Sequence, residues 1–160
     1  MNIELLSNYD LIKFCKLLKI PLVDVVNKDL LNNMTPKIGC YIINLQNHNE
    51  GDGTHWTCFI INKSVAIYYD SFGLICPVSV INFIKRFNKQ MKLIYSIDAI
   101  QNIKSVACGW YVLFFLYYFN IQKNKNYSLI LNYHNNLFNK NNSKLNDKIL
   151  QSIIKTIFFK

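Results

Sequence analysis

Residues 105–115 read SVACGWYVLFF, with a cysteine and a glycine ahead of a series of apolar residues. This stretch opens an apolar run shorter than the roughly 18–20 residues of a membrane span, so it predicts a buried core helix over 109–120. Cys108 stands in the first turn, where free N–H groups and the positive end of the helix dipole favour a thiolate. Gly109 leaves the backbone open to a substrate carbonyl. The stretch therefore predicts a nucleophile at the head of a central helix.

The bulk composition fits one domain spanning 1–160. Of the 160 residues, 51% are hydrophobic and 17% are charged, which suits a packed core and excludes a disordered tail. The five cysteines are odd in number and irregularly spaced, and the start MNIELLSNYD has no signal peptide. We therefore expect a reduced, intracellular protein without a disulfide framework.

The charge balance allows two interpretations. With 18 Lys and Arg against 9 Asp and Glu, the net charge of +9 favours polyanions such as nucleic acid. The basic residues are nearly all lysines, scattered without a dense block, which fits a solvated basic surface equally well. Non-specific DNA binding is thus one expectation, and no membrane association is predicted.

The apolar pattern predicts an order of elements. A capping pair, Ser7 and Asp10, starts a helix that Pro21 stops, and a short helical piece follows at 24–31. Strands are predicted at 40–45, 55–61, 64–70 and 92–97, and helices at 78–89, 109–120 and 145–159. Residues 122–146 are predicted to be mainly loop with a short ordered piece. Strands and helices in this mixture indicate an α+β fold.

A predicted hairpin brings a histidine to a carboxylate. If Asn62 and Lys63 form its two-residue loop, His55 lies directly opposite Asp70 on one face. Opposed Cβ atoms lie about 4.5–5.5 Å apart, close enough for the carboxylate to hold the imidazole and stabilise its charged form. A slip of one residue would send Asp70 to the other face.

Other interpretations of these residues stay open. A lone histidine beside a tryptophan is usually structural, and this applies also to His48 and His134 in polar segments. Cys40, His48, His55 and Cys58 lie close in sequence, but no CxxC or HxxxH pair exists, so we expect no metal site. A free cysteine is usually a buried, inert residue, and we expect this of the four cysteines other than Cys108.

Gln101 lies seven residues before Cys108, in a connector that must turn into the helix. Its side-chain amide can donate to an oxyanion, and the Cys108 N–H can do the same. A glutamine in a loop is commonly only a surface residue. The chain order His55, Asp70, Gln101, Cys108, each at the end of a predicted element, favours a catalytic set.

Three motifs together resemble a known family. GTHWTCFI (53–60), YYDSFG (68–73) and Gln101 followed by SVACGWY (105–111) resemble the adenovirus-type cysteine proteases, which include the SUMO- and ubiquitin-like-protein proteases. The resemblance is greatest to the short viral branch of virophages, Polinton/Maverick elements and large DNA viruses. It covers roughly residues 38–119, with looser flanks.

The resemblance implies a fold and residue roles. The family fold is α+β, a mixed central sheet flanked by helices with a buried central helix carrying the nucleophile, similar to a permuted papain. By matching position, His55 is the general base, Asp70 orients it, Cys108 is the nucleophile and Gln101 helps form the oxyanion hole. Trp56 would pack beside the site and, with Gly109, contact the substrate.

The resemblance also implies a biological setting. Viral members process capsid or structural precursors during virion maturation, so we expect such a precursor as substrate and a monomer located in the host cytoplasm, the virus factory and the virion. No metal or organic cofactor is expected. The adenovirus enzyme is assisted by DNA and a peptide, so the resemblance allows a DNA or peptide activator here.

Two rival functions remain at this point. The same catalytic residues could remove ubiquitin or a SUMO-like modifier from host proteins, although so short a chain leaves little room for a modifier-binding platform. A basic DNA-binding or virion structural protein that keeps a vestigial site would instead leave Cys108 unreactive toward alkylators at neutral pH.

Overall fold

The strands pair into one mixed five-stranded sheet with the order β1-β2-β3-β4-β5. The computed structural model describes residues 3–122 and 126–158. The strands are β1 Leu22–Asn27, β2 Gly39–Asn44, β3 Trp56–Ile61, β4 Val65–Tyr69 and β5 Lys92–Tyr95. The helices are α1 Asn8–Leu17, α2 Val78–Phe87, α3 Cys108–Ile121, α4 Tyr127–Asn135 and α5 Ser143–Phe158, with a 3₁₀ helix at Leu30–Asn33. The predicted α+β class is confirmed.

Alternating side chains of the central strands build a core on each face of the sheet. Ile42 and Ile60 face the larger cluster, which contains α3, while Tyr41 and Phe59 face a smaller one closed by α2 and the 3₁₀ helix. The outer pairs β1·β2 and β4·β5 are parallel and the inner pairs are antiparallel. Because both faces are covered, the central strands are almost continuously apolar.

Helix α3 forms the centre of the larger cluster. Ten of its 14 residues are buried, including every residue from Cys108 to Leu116. A helix that is apolar all round must be enclosed on every side, and here β3, α1, α4 and α5 surround it. No helix within residues 3–122 and 126–158 has the length and apolar character that a membrane crossing requires.

The predicted helical piece at 24–31 is wrong. Residues Leu22–Asn27 form edge strand β1, parallel to β2, and the helical turn begins only at Leu30. The valines at 23, 25 and 26 are β-branched, so they favour a pleated surface over a helix. The free edge of β2 supplies the backbone partners that a short isolated helix would lack.

The predicted hairpin register is also wrong, by two residues. Ile61 pairs with Ala66 and Cys58 with Tyr69, so the loop is Lys63-Ser64. The Asn62 N–H donates to the Val65 carbonyl at 3.0 Å, and the Asn62 side chain accepts from the Lys63 N–H at 2.7 Å. Asparagine therefore takes the first turn position, where its side chain caps the backbone, rather than a central one.

The C-terminal part is more helical than expected. Helix α4 occupies part of the predicted loop 122–146, because the Asn126 side chain accepts from the Leu129 N–H and caps the helix. An Asn-rich segment thus contains a helix start that its composition concealed. The predicted closing helix is confirmed as α5, beginning two residues earlier; its expected end at Phe159, like residues 123–125 of the loop, lies outside the described residues.

Candidate active site

His55 and Asp70 meet at the ends of β3 and β4. The His55 Nε2 lies 2.9 Å from the Asp70 Oδ1, and both side chains are buried. In the observed register Asp70 stands beyond the last ladder pair, diagonally across from His55. An even shift keeps both side chains on the same face, so the contact survives although direct opposition does not.

The Asp70 carboxylate is held from several directions. Its Oδ1 accepts the Phe72 N–H at 2.7 Å, and its Oδ2 accepts the Tyr68 hydroxyl at 3.2 Å. Phe72 in turn stacks on the His55 ring with centroids 4.4 Å apart. The orientation of the imidazole is therefore fixed by an ion-pair partner on its edge and an aromatic ring on its face.

Residues 70–73, DSFG, form a turn from which these contacts arise. The Gly73 N–H donates to the Asp70 carbonyl at 3.1 Å. Gly73 has φ +69, and a Cβ there would lie 2.5 Å from the Ile97 carbonyl oxygen. Glycine is required because the backbone is left-handed and the 97–99 segment passes too close for any side chain.

The loop before His55 is anchored by a buried asparagine. The Asn44 Oδ1 accepts from the Gln46 N–H at 2.9 Å and the Thr54 N–H at 3.2 Å, so it ties both ends of the 46–54 loop. The Leu45 N–H donates to the His55 carbonyl at 3.0 Å. These bonds hold the His55 backbone against the end of β2.

Cys108 begins helix α3 and lies beside the histidine. Its Sγ accepts the Trp56 backbone N–H at 3.5 Å, which places the sulfur next to the residue that follows His55. The N-cap residue, Ala107, provides no side-chain cap, and its carbonyl accepts the Trp110 N–H at 2.9 Å, so the N–H groups of Cys108 and Gly109 are the ones available to a negative charge. The exposed fractions are only 4% for Cys108 and 7% for His55, so the site is largely shielded from water.

The pKa of His55 is raised to about 9. Burial opposes the charged ring, but the hydrogen bond to Asp70, the hydrogen bond to Cys108 and the charges of both outweigh it. Asp70 holds Nε2, and Nδ1 is buried without another partner in the part of the chain described. Nδ1 is thus the nitrogen available to Cys108, and the raised pKa keeps the imidazole ring mainly protonated at neutral pH.

Three other cysteines lie in surroundings that disfavour the charged thiolate. Burial raises the pKa of Cys15 and of Cys76 to about 12, and raises that of Cys58 well above its ordinary value. All five cysteines are thiols and not disulfides in the described part of the chain. Cys108 differs from these three in standing at a helix start beside a histidine.

Gln101 is buried near the helix start, with its amide held at both ends. Its Oε1 accepts the Ser71 hydroxyl at 2.6 Å, and its Nε2 donates to the Ser105 carbonyl at 2.9 Å. One N–H of the amide group is left over for a further acceptor. The Gln101 side chain also closes the 101–105 turn that leads into α3.

Trp56 contacts the Cys108 sulfur and also lines a neighbouring cleft. Its indole N–H donates to the Leu6 carbonyl at 2.8 Å, while its backbone N–H reaches the Cys108 sulfur. The ring lines a cleft of about 370 Å³ between residues 5–10 and the 46–54 loop, with Asn44 also in its wall. A substrate contact for Trp56 remains a prediction that this position allows.

Close packing explains why residue 109 is a glycine. A Cβ at this position would lie 3.1 Å from the Leu6 Cβ and 3.5 Å from the Leu11 Cδ2. The missing side chain therefore lets the N-terminal segment pack tightly on α3. A substrate contact through Gly109 stays a prediction.

The remaining histidines lie away from this site. His48 is on the exposed loop, with Nδ1 2.6 Å from the Asp29 Oδ2. His134 is fully buried among aromatic rings. Within residues 3–122 and 126–158, no three His, Cys, Asp or Glu side chains converge as metal ligands.

Sequence reasoning missed several supporting residues. Tyr68 and Phe72 hold the Asp–His pair, Ser71 holds Gln101, and Asn44 anchors the preceding loop. Polar residues within an otherwise apolar strand end, such as Asn44 after CYII, are a usable signal. Ser71 had none beyond its place in the DSFG turn.

No family model and no curated protein matches the sequence. Among solved structures, the fold is similar to the crystal structure of the pS273R protease of African swine fever virus (ASFV), with a TM-score of 0.53 and 16% identity over 86% of this chain and 68% of that chain. A second crystal structure of that protease, with selenomethionine, gives a TM-score of 0.49 and 15% identity over 86% and 69%. At 16% identity, the similarity to the first of these two structures concerns the fold alone.

Proposed function

We propose that this chain is a cysteine endopeptidase with Cys108 as nucleophile. The observation that carries the proposal is that the Cys108 sulfur lies next to the His55–Trp56 segment and that His55 is held by Asp70. The residue after Asp70 in turn holds the buried amide of Gln101. These groups come from separate elements, so their convergence is a property of the fold and not of local sequence. The fold shared with a viral protease supports the same class.

The geometry fits acyl transfer through a thioester. The Cys108 thiolate attacks the peptide carbonyl, and the carbonyl electron pair moves onto the oxygen. The free Gln101 N–H and the Cys108 backbone N–H can stabilise that oxyanion. His55 then donates its proton to the leaving amine as the C–N bond breaks, which leaves a thioester and a neutral imidazole.

Hydrolysis of the thioester completes the cycle. Neutral His55 removes a proton from water, and the resulting hydroxide attacks the acyl carbon. The second tetrahedral intermediate collapses with loss of the Cys108 thiolate and release of a carboxylic acid. Because Asp70 stays hydrogen-bonded to the ring, the imidazolium is stabilised in both half-reactions.

The proposed substrate is a viral capsid or structural precursor, cleaved during virion maturation. This rests on the resemblance of the GTHW, DSFG and ACGW motifs to the short viral proteases. Activation by DNA is proposed as an accessory property, since the net charge is +9 and exposed lysines follow one another in α2 (Lys85), in the connection after it (Lys89) and at the start of β5 (Lys92). A peptide activator, action as a monomer and a location in virus factory and virion belong to the same proposal.

Cleavage of a proteome-derived peptide library, with mass spectrometry of the new termini, tests the activity. Wild type should generate new termini and Cys108→Ala should generate none, because the nucleophile is gone. Cys76→Ala is the matched control, since it removes another buried thiol. An equal set of termini from wild type and Cys108→Ala would refute the proposal.

The substrate class needs a separate comparison. Capsid precursor and ubiquitin-like modifier–fluorophore conjugates are incubated with the wild-type enzyme. We expect cleavage of the precursor. Cleavage of the conjugates alone would replace the maturation role by removal of host modifiers.

A further inference from the structure

We propose that Ser71 is a positioning residue that orients Gln101 for oxyanion stabilisation. The inference rests on the proposed function and adds to it a residue that has no direct contact with the reacting atoms. Ser71 lies in the DSFG turn directly after Asp70, and it is fully buried.

Ser71 holds Gln101 by main chain and side chain together. Its carbonyl accepts the N–H groups of Ile100 at 3.0 Å and Gln101 at 2.9 Å. Its hydroxyl donates to the Gln101 Oε1 at 2.6 Å. The backbone and the side-chain amide of Gln101 are therefore both held by hydrogen bonds to one residue.

The Ser105 carbonyl, which can only accept, sets which way the amide points, and the Ser71 hydroxyl holds the amide oxygen in that orientation. An amide group can be turned by 180°, which would exchange its acceptor oxygen with its donor NH₂. With Ser71 donating to Oε1 and the Ser105 carbonyl accepting from Nε2, only one of the two orientations satisfies both neighbours. That orientation leaves an N–H, and not a carbonyl oxygen, free for an anionic acceptor.

The DSFG turn thus serves both halves of the proposed reaction. Asp70 orients His55, which moves the proton, while Ser71 orients Gln101, which meets the developing negative charge. Because the two residues are consecutive, a single rigid turn sets the distance between the base and the oxyanion donor. Such preorganisation is what makes a donor effective in the transition state.

A double-mutant cycle tests this with wild type, Ser71→Ala, Gln101→Ala and the double variant. We expect Ser71→Ala to lower kcat roughly tenfold, the effect of losing one buried hydrogen bond, with KM and the pH profile unchanged. In the Gln101→Ala background the same change should cost nothing further, because the group that Ser71 orients is absent. An equal loss in both backgrounds, or no loss in wild type, would overturn the inference.

Two further variants guard against a folding artefact. Ser71→Cys keeps the shape with a weaker donor and should fall between wild type and Ser71→Ala. Ser96→Ala is the matched control, since its hydroxyl is also hydrogen-bonded, to Asp98 and Asn135, without touching Gln101. It should leave kcat unchanged, and an equal loss in Ser96→Ala would count against the specific role of Ser71.

A readout without turnover separates this inference from the proposed function. In ¹⁵N-labelled protein, relaxation of the Gln101 side-chain amide reports how firmly it is held. We expect it to become more mobile in Ser71→Ala and to stay rigid in Ser96→Ala. An amide equally rigid in Ser71→Ala would sink the positioning role even if the protease activity stands, whereas an inactive wild type with a Ser71-dependent amide would sink only the activity.

Discussion

At the level of single residues, His55 of the candidate site and the cysteines of the core lie in different electrostatic environments. Burial alone would neutralise His55, but Asp70 and Cys108 raise its pKa to about 9. At Cys15, Cys58 and Cys76 burial is the leading influence, and it raises the pKa of each thiol. We therefore expect the thiol group to be inert in the core and reactive beside the imidazole.

This difference predicts the alkylation pattern of the native protein. Iodoacetamide should modify Cys108 alone, and the rate should stay high between pH 6 and 8 because His55 is mainly protonated throughout that range. In His55→Ala the rate at pH 6 should fall about 300-fold, since an unassisted thiol has a pKa near 8.5 and is almost wholly protonated at that pH. Mass spectrometry of modified peptides against time measures both.

Cys108→Ser serves as the control and should remain unmodified. Equal rates for wild type and His55→Ala at pH 6 would contradict the ion pair. Modification of Cys15 or Cys58 in the native state would contradict the burial argument.

At the scale of elements, the hairpin and the DSFG turn set the geometry together. The β3–β4 ladder ends at Cys58 and Tyr69, and the chain beyond it leads His55 and Asp70 to the same end of the sheet. The turn then runs against the 97–101 connector through Ser71 and Gly73. One short segment therefore links the sheet edge to the residues that precede α3.

Gly73→Ala is expected to loosen this link. The added methyl would meet the backbone of Ile97 and Ala99 within 3 Å, in a left-handed conformation. We expect a loss of about 2–3 kcal/mol in the free energy of unfolding, measured by urea denaturation. Proteolytic activity should fall as well, since Asp70 and Ser71 belong to the same turn.

Gly51→Ala is the comparison for this change. Gly51 also has a positive φ, of +137, but its added methyl would meet only the Gln46 side chain in an exposed loop. A smaller loss is expected there. If the two substitutions cost the same, close approach at Gly73 is not the cause.

At the scale of the whole molecule, the site is supported by an aromatic core behind it. His134 of α4 lies among Tyr69, Phe114, Phe115 and Phe138, with ring centroids 5.1–5.5 Å away. Burial lowers its pKa to about 4, against a smaller opposing effect of the hydrogen bond that the ring makes to the Asn135 side-chain oxygen. This packing fixes α4 on α3, and α3 carries Cys108.

Protonation of His134 should therefore destabilise the fold at a higher pH than protonation of the carboxylates does. The unfolded chain takes up a proton on His134 near pH 6.5, while the folded protein resists it down to about pH 4. The contribution of His134 to stability is thus full above pH 6.5 and falls as the pH drops to about 4, by roughly 3 kcal/mol. Urea midpoints at pH 7.5, 6, 5 and 4 measure the slope.

The variant His134→Phe should flatten that slope whatever its stability at pH 7.5. The lowered pKa values of Asp10, Asp29 and Asp98 place their own losses below about pH 4, outside this window. The raised pKa of His55 acts at the other end, because its contribution is lost as the pH rises from 6.5 to about 9. A slope between pH 6 and 4 that is unchanged in His134→Phe would contradict the assignment.

Elements with a strong local sequence pattern could be predicted from the sequence alone. The buried α3, the capped α1, strands β2 to β5 and α2 were predictable because each element carries its own periodicity, cap or apolar run. The candidate residues His55, Asp70, Gln101 and Cys108 were also indicated, by their types and their places at element ends. All these signals lie within a few residues of the feature they predict.

Only the tertiary structure decided the rest. Strand β1 exists because β2 offers it an edge, and Gly109 is small because Leu6 packs on it. The roles of Phe72 and Ser71 depend on His55 and Gln101, which lie far from them in the sequence. Such choices are made by contacts between segments far apart in the chain, whose energies no local pattern contains.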